Sequence, residues 1–377
     1  MKRILVDMTH ITQDKLYNSL SIYIFRILNN INSENIKYYM LLITDELEDY
    51  IKSKYPCFKY TIFDHKNKSK IKNKLIRNVC LANIYRRVVN ESDCDILLVT
   101  SDLYLYTCVK TKLKKVVVIH DLKIIKDIYN NLIDKIKIYI LKKFYFKLMK
   151  SSDAIIAISN YTKKDILHYY SKIEESKINV ILNSISLADT SVRPQKFISN
   201  SRYILYVNTL QPYKNVITLL KAFCRIKNNI TEKLVIVGKT TEYWEQEVLP
   251  FIKQNGISDR VIRLENISDN ELKYVYEKAE LFVTTSLREG FGYTPIEAAI
   301  CCCPVISTKC ESLPDVTKNK VLYYDNPMDD NELASLIIRI INERPDKDVL
   351  ESISKEFRYL YSGKKQIEEF EKLFERL

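Results

Sequence analysis

The stretch Leu281–Ala299, LFVTTSLREGFGYTPIEAA, decides the fold class. It opens on an apolar, β-prone run, Leu281-Phe282-Val283-Thr284, crosses a turn holding Gly290 and Gly292, and ends in a helix-forming segment. A strand, a glycine turn and a helix in that order form the repeating unit of a parallel sheet. Thr294 is placed to cap the helix, Pro295 suits its first position, and Glu297 stands where a capping-box glutamate would. That gives Glu297 a structural reading. A functional reading stands beside it. Gly290 and Gly292 let backbone approach a ligand closely, and the N–H groups and dipole at a helix start favour phosphate. Glu289 and Glu297, flanking that turn, can accept hydrogen bonds from hydroxyls of a sugar.

Outward from this segment the same alternation fills the chain. Strands are predicted near 2–6, 38–43, 58–63, 95–99, 115–120, 153–158 and 178–182, then near 203–207, 233–237, 260–264, 281–284, 304–306 and 321–324. Helices are predicted between them, for example at 15–31, 130–150, 161–170, 215–228, 270–279 and 295–302. At 377 residues the chain is too long for one ordinary core. The polar stretch 188–194, ADTSVRP, interrupts the pattern and marks the boundary. The expectation is two doubly wound α/β domains, 1–190 and 198–362, facing a central cleft, with ligands outside the carboxyl ends of the strands. Residues 363–377 read as an amphipathic helix with Ile367, Phe370, Leu373 and Phe374 on one face, packing back across the domains.

Composition narrows the classes further. Only five glycines are present, so a phosphate-binding loop has few places to be. The nine cysteines, three of them consecutive at Cys301–Cys303, show no metal-ligand spacing with histidine. They read as reduced small hydrophobes of a cytosolic protein. The apolar run at Met1–Asp7 is too short for a signal peptide, and no 18-residue apolar stretch suited to spanning a membrane occurs. Residues 1–196 hold 34 Lys+Arg against 20 Asp+Glu, a net of +14, whereas the rest holds 25 against 27. Such asymmetry points to an anionic partner for the first half. Asp93-Cys94-Asp95 spells a metal-binding D-x-D, but ahead of Ile96-Leu97-Leu98-Val99 it reads as a polar strand entry.

The motifs together resemble the retaining GT-B glycosyltransferases of family 4, the glycosyl transferases of group 1. Glu289 to Glu297 is similar to that family's E-x7-E motif. Cys303-Pro304-Val305-Ile306 and Glu311-Ser312-Leu313-Pro314-Asp315-Val316 resemble its "PV" strand and "slPEv" loop. Tyr203 to Asn215, YILYVNTLQPYKN, resembles "ilyvGtlePRKN", and Val116 to Leu122, VVVIHDL, resembles "vvtiHDl". Leu234-Val235-Ile236-Val237-Gly238 and the helix start Ser268-Asp269-Asn270-Glu271-Leu272 match two further elements, and Ser159–Lys163 and Val180–Ile185 look like framework. The departures are Asn18-Ser19 in place of "TG", Asn208 in place of a glycine, Tyr213 in place of an arginine, Thr285 in place of a proline, and Cys302 in place of a glycine.

The resemblance implies a GT-B fold in which 1–190 receives the acceptor and 198–362 binds a nucleotide sugar. It implies a hexose or deoxyhexose moved with retention to a saccharide or lipid-linked acceptor, in surface polysaccharide or glycolipid synthesis. The carried-over roles are Lys214 on the donor diphosphate, Glu297 on the ribose, Glu289 with Phe291 and Gly292 on the sugar hydroxyls, and His120 on the reacting sugar. Thr209, Asn215, Gly290 and Tyr293 complete the donor-binding set. No metal and no cofactor beyond the nucleotide-sugar substrate are expected, and no nucleic acid. Two alternatives stand beside the transferase: another enzyme on the same scaffold, such as a nucleotide-sugar epimerase, and a catalytically weak nucleotide-sugar-binding protein or partner subunit. The basic tracts 65–77 and 135–150 read either as solvated faces or as attachment to an anionic membrane surface, which would make a cytoplasmic protein peripheral at the inner face.

Overall fold

The computed structural model describes residues 1–16, 18–64, 74–101, 105–126, 131–194 and 202–377. It divides the chain into two compact units, Met1–Ser184 with Gly363–Leu377, and Ile185–Ser362.

The first unit is a seven-stranded parallel sheet. Its strands are β1 (Ile4–Asp7), β2 (Tyr39–Thr44), β3 (Lys59–Phe63), β4 (Ile96–Val99), β5 (Lys114–Ile119), β6 (Ala154–Ala157) and β7 (Ile178–Val180), in the order β3-β2-β1-β4-β5-β6-β7. Helices α1 (Ser19–Asn30), α2 (Glu48–Lys54), α3 (Lys74–Glu91), α4 (Lys123–Lys126), α5 (Leu132–Lys150) and α6 (Asn160–Tyr169) connect them. The central strands are continuous apolar runs because helices cover both faces of a parallel sheet. Val116, Val117, Val118 and Ile119, for example, are all fully buried. Asp93 and Asp95, the D-x-D pair, lie at the entry to β4: Asp95 accepts from the Arg3 amide at 2.8 Å, and the Arg3 guanidinium pairs with Asp93.

The second unit is a six-stranded parallel sheet. It holds β8 (Tyr203–Val207), β9 (Lys233–Val237), β10 (Val261–Leu264), β11 (Leu281–Val283), β12 (Val305–Thr308) and β13 (Leu322–Tyr324), in the order β10-β9-β8-β11-β12-β13. Its helices are α7 (Val216–Ile226), α8 (Leu249–Gln254), α9 (Asp269–Glu277), α10 (Tyr293–Ile300), α11 (Leu313–Val316), α12 (Asp330–Asn342) and α13 (Lys347–Leu360). Ser268 and Glu271 form a full capping box on α9, as the S-D-N-E spacing predicts. Every predicted strand of both sheets is present to within about two residues at each end.

The final helix, α14 (Gly363–Arg376), belongs to the first unit. It buries Ile367, Phe370, Leu373 and Phe374, the four apolar residues of the predicted stripe. Gln366 donates to the Leu182 carbonyl at 3.0 Å, and Glu371 accepts from Asn35 at 2.7 Å. A Cβ on Gly363 would stand 2.0 Å from the Asn30 side chain, so any other residue at the start of α14 would require Asn30 to move.

Candidate active site

In both sheets the strand order reverses at the first strand, between β1 and β4 and between β8 and β11. Loops leaving two neighbouring strands in opposite directions open a crevice at such a point. In the second unit those loops carry the predicted residues. Lys214 follows β8 and Glu289 follows β11, so the reversal joins side chains 75 positions apart: Lys214 Nζ donates to Glu289 Oε1 at 2.6 Å. The two residues are 8% and 7% exposed. The Ser286 hydroxyl donates to the same oxygen at 2.8 Å, while among the described residues no side chain donates to Oε2.

The backbone beneath the pair is held from both loops. Thr285 Oγ1 bridges the carbonyls of Lys214 and Asn215 at 3.0 and 2.8 Å, and the Tyr206 phenol donates to the Lys214 carbonyl at 2.9 Å. Asn215 takes a left-handed conformation, φ 53°, between the turn at Pro212–Lys214 and α7. Its side chain is committed to the fold, donating to the Pro327 carbonyl and accepting from Thr218, both at 2.9 Å. The Tyr213 ring, standing where the resemblance expects an arginine, lies 5.2 Å from Lys214 Nζ, so a π face replaces a second cation. Thr209 is exposed at the end of the β8 loop, its amide donating to Asn208 Oδ1 at 3.0 Å.

The glycine turn is fixed by residues of the "slPEv"-like loop, to which the sequence reading gave no role. The Glu289 amide donates to Glu311 Oε2 at 2.7 Å, and the Ser312 hydroxyl lies 3.0 and 2.9 Å from the carbonyls of Glu289 and Phe291. The E-S-L-P-D run was the available signal. Phe291 is buried, its ring edge-on to Tyr361. Among the described residues nothing accepts a hydrogen bond from the amides of Gly290, Phe291 and Gly292. These donors and Lys214 meet in one loop cluster.

The start of α10 departs from expectation. The helix begins at Tyr293 and is preceded by Gly292 at φ 95°, with no side-chain cap. Thr294 is therefore not the cap, Pro295 is not the first helical residue, and Glu297 closes no capping box. Gly292 adopts a conformation hostile to other residues, and a Cβ there would stand 2.4 Å from Leu313 Cδ2. Glu297, 8% exposed, accepts from the Tyr276 phenol at 3.0 Å. Burial and the Glu297 charge push the Tyr276 phenol up, which keeps it a donor.

His120 belongs to the first unit, at the end of β5. Its Nε2 lies 3.0 Å from the Thr100 carbonyl and its ring meets Tyr23 edge-on at 4.8 Å. A carbonyl can only accept, so Nε2 carries the proton and Nδ1 keeps its lone pair. Burial holds the imidazole pKa below its ordinary value, against the opposing pull of the Thr100 carbonyl and Asp121. Thr100, whose hydroxyl donates to the Asp7 carbonyl at 2.5 Å, joins it to a network the motifs did not reveal. Asp7 accepts from Tyr85 at 2.6 Å and from Thr9 at 2.7 Å, and Thr9 pairs with the Tyr106 hydroxyl at 3.0 Å. Its sole signal was a carboxylate closing the apolar run Ile4-Leu5-Val6. Desolvation raises the Asp7 pKa against these donors. Among the described residues His10 Nε2 is buried without a hydrogen-bond partner, and burial with the nearby His120 and Lys15 lowers its pKa to about 3.

Among the described residues no group of three or more His, Cys, Asp or Glu side chains is arranged to hold a metal ion. No helix among them is long and apolar enough to cross a membrane.

Comparison with known proteins bears on the family and the fold. Residues 189–357 match the family "Glycosyl transferases group 1", and residues 55–189 match "Glycosyltransferase Family 4". The O-antigen chain mannosyltransferase RfbU of Salmonella typhimurium is 29% identical over 211 residues, covering 55% of this chain and 57% of that protein. An N-acetylgalactosamine-N,N'-diacetylbacillosaminyl-diphospho-undecaprenol 4-alpha-N-acetylgalactosaminyltransferase of Campylobacter jejuni is 29% identical over 188 residues, 50% of this chain and 48% of its own. The chain thus spans about half the length of the curated relatives it matches. HepE of Anabaena, solved in complex with UDP, superposes over 100% of both chains with a TM-score of 0.77 at 14% identity, a likeness of fold.

Proposed function

Since the chain belongs to the GT-B glycosyltransferases of family 4 (the glycosyl transferases of group 1), we propose that it moves a hexose or deoxyhexose from a nucleotide diphosphate to a saccharide or lipid-linked saccharide, with retention. The observation that carries this reading is the buried Lys214–Glu289 pair beside the glycine turn. An ammonium has three donors. One serves Glu289, and the others are suited to oxygens of the donor diphosphate. As the bond from the sugar's anomeric carbon to phosphate oxygen breaks, the nucleoside diphosphate leaves with the electron pair. The acceptor hydroxyl oxygen bonds to that carbon on the same face, and its proton passes to the departing phosphate oxygen. The growing charge is stabilised by Lys214 and the amides of Gly290, Phe291 and Gly292. Glu289 Oε2 accepts from a sugar hydroxyl, Glu297 from the ribose, and the neutral His120 contacts the reacting sugar through Nδ1.

The names of the relatives support a place in surface polysaccharide or glycolipid synthesis, with a nucleotide-diphosphate mannose as the first donor to try. Incubation with a panel of nucleotide sugars and lipid-linked saccharides tests the proposal. Release of nucleoside diphosphate that disappears in Lys214→Ala and in Glu289→Gln is the expected result. Tight nucleotide-sugar binding with neither release nor transfer, across acceptors, overturns it in favour of the binding-protein alternative, which Tyr213 in place of an arginine motivates.

A further inference from the structure

Helix α5 carries two unlike halves. All its buried residues, Phe144, Tyr145, Leu148 and Met149, lie in the second half. Residues 132–141 include none, yet this half is apolar: Leu132, Ile133, Ile136, Tyr139 and Ile140 are between 52% and 72% exposed. A contiguous exposed apolar face of this kind marks an interaction surface. Positions 132, 136, 139, 143, 147 and 150 recur at helical spacing and form one outward stripe. That stripe reads Leu, Ile, Tyr, then Lys, Lys, Lys, with all six residues exposed. Lys135 and Lys142 flank it, and Lys143 lies over the Tyr139 ring at 4.6 Å. Asp134 is the helix's single acid, and it pairs with Lys137 at 2.8 Å. The other basic tract, 65–77, falls largely outside the described residues.

We propose that α5 docks this chain on an anionic bilayer surface, with Leu132, Ile133, Ile136, Tyr139 and Ile140 sunk below the headgroups and Lys142, Lys143, Lys147 and Lys150 among the lipid phosphates. The apolar half supplies burial and the basic half supplies attraction, and an interfacial helix needs both. The polarity of the stripe disfavours a second copy as the occupant: a parallel two-fold contact sets lysines against lysines, and an antiparallel one along the whole stripe sets lysines against the apolar half. The same lysines exclude a spanning role. The surface lies within the first unit and does not depend on the proposed sugar transfer.

The test is sedimentation of the full chain with phosphatidylglycerol vesicles and with phosphatidylcholine vesicles, without sugar substrates. Binding to the first and not the second is expected. Ile136→Asp/Ile140→Asp weakens it at least about 10-fold by removing burial. Lys143→Gln/Lys147→Gln/Lys150→Gln weakens it roughly 100-fold, with a shallower salt dependence. The chain's one tryptophan, Trp244, is buried in the second unit, so Tyr139→Trp adds a reporter whose emission shifts to the blue on insertion. All substituted side chains are exposed, and unchanged circular dichroism checks folding. Equal binding to both lipids, no binding to either, or variants that bind like wild type would overturn the proposal. So would a lipid-free dimer that Ile136→Asp/Ile140→Asp dissociates, since the face would then join two copies of this chain.

Discussion

Replacing Lys214 and Glu289 singly and together separates what the pair does for the fold from what it does for a ligand. Both residues are more than nine-tenths buried, and their charges meet at 2.6 Å. Removing one partner of such a pair leaves the other desolvated and uncompensated, which costs about 3–5 kcal/mol. The pair keeps slight solvent access and Glu289 retains Ser286, so the low end applies, about 3 kcal/mol for Lys214→Met or Glu289→Leu alone. At about 2–4 °C per kcal/mol for a domain of this size, each should lower the melting temperature by about 6–12 °C. Lys214→Met/Glu289→Leu removes both charges from a packed site and should return to within about 1 kcal/mol of wild type. Urea unfolding followed by circular dichroism on all four proteins closes the cycle, with a coupling of about 5 kcal/mol expected. Nucleotide binding by calorimetry on the stable double variant then reads function alone, and it should fall at least about 10-fold with the loss of a charged donor. Additive destabilisation, with the double variant losing the sum of the singles, would refute the pairing argument.

Three further outcomes follow from particular residues. Gly292→Ala forces a Cβ at φ 95° against Leu313 and should destabilise the second unit by about 2–3 kcal/mol in urea melts; a wild-type midpoint would contradict the geometry. Cys302 holds φ 56°, where the family resemblance expects glycine, so Cys302→Gly should raise stability by up to about 1 kcal/mol, seen as a higher melting temperature. His10, with its folded pKa lowered to about 3 from 6.5, stays neutral while the unfolded chain binds a proton below about pH 6.5. Its contribution is therefore lost as pH falls from about 6.5 towards 3, and His10→Gln should recover about 2–3 kcal/mol of the difference between pH 7 and pH 4.5. Equal pH dependence of the two proteins in urea titrations would count against it. Asp7, raised by burial, acts in the opposite sense, and comparing variant with wild type cancels its effect.

What the amino-acid sequence determined by itself was local and periodic. Runs such as Val116-Val117-Val118-Ile119 and Leu234-Val235-Ile236-Val237 can be little else than buried parallel strands. Ser268 with Glu271 writes its own helix start, and Ile367, Phe370, Leu373 and Phe374 write a buried face. Lys214 and Glu289 were each legible as candidate donor-binding residues through the motifs around them. Their contact was not, because it rests on the strand order β8-β11 closing a separation of 75 residues. The same holds for Glu311 and Ser312 around Glu289, and for Tyr85 and Tyr106 around Asp7 and Thr9, where the partners come from distant segments. The cap of α10 shows the limit within a single segment: Thr294, Pro295 and Glu297 spell a helix start, yet the close approach of Leu313 and the left-handed turn at Gly292 set it at Tyr293. Neighbours along the chain carry periodicity and turn chemistry, so sequence speaks for elements. Which charges are desolvated, and by whom they are neutralised, depends on loops brought together only when the sheets close, and that the tertiary structure alone decided.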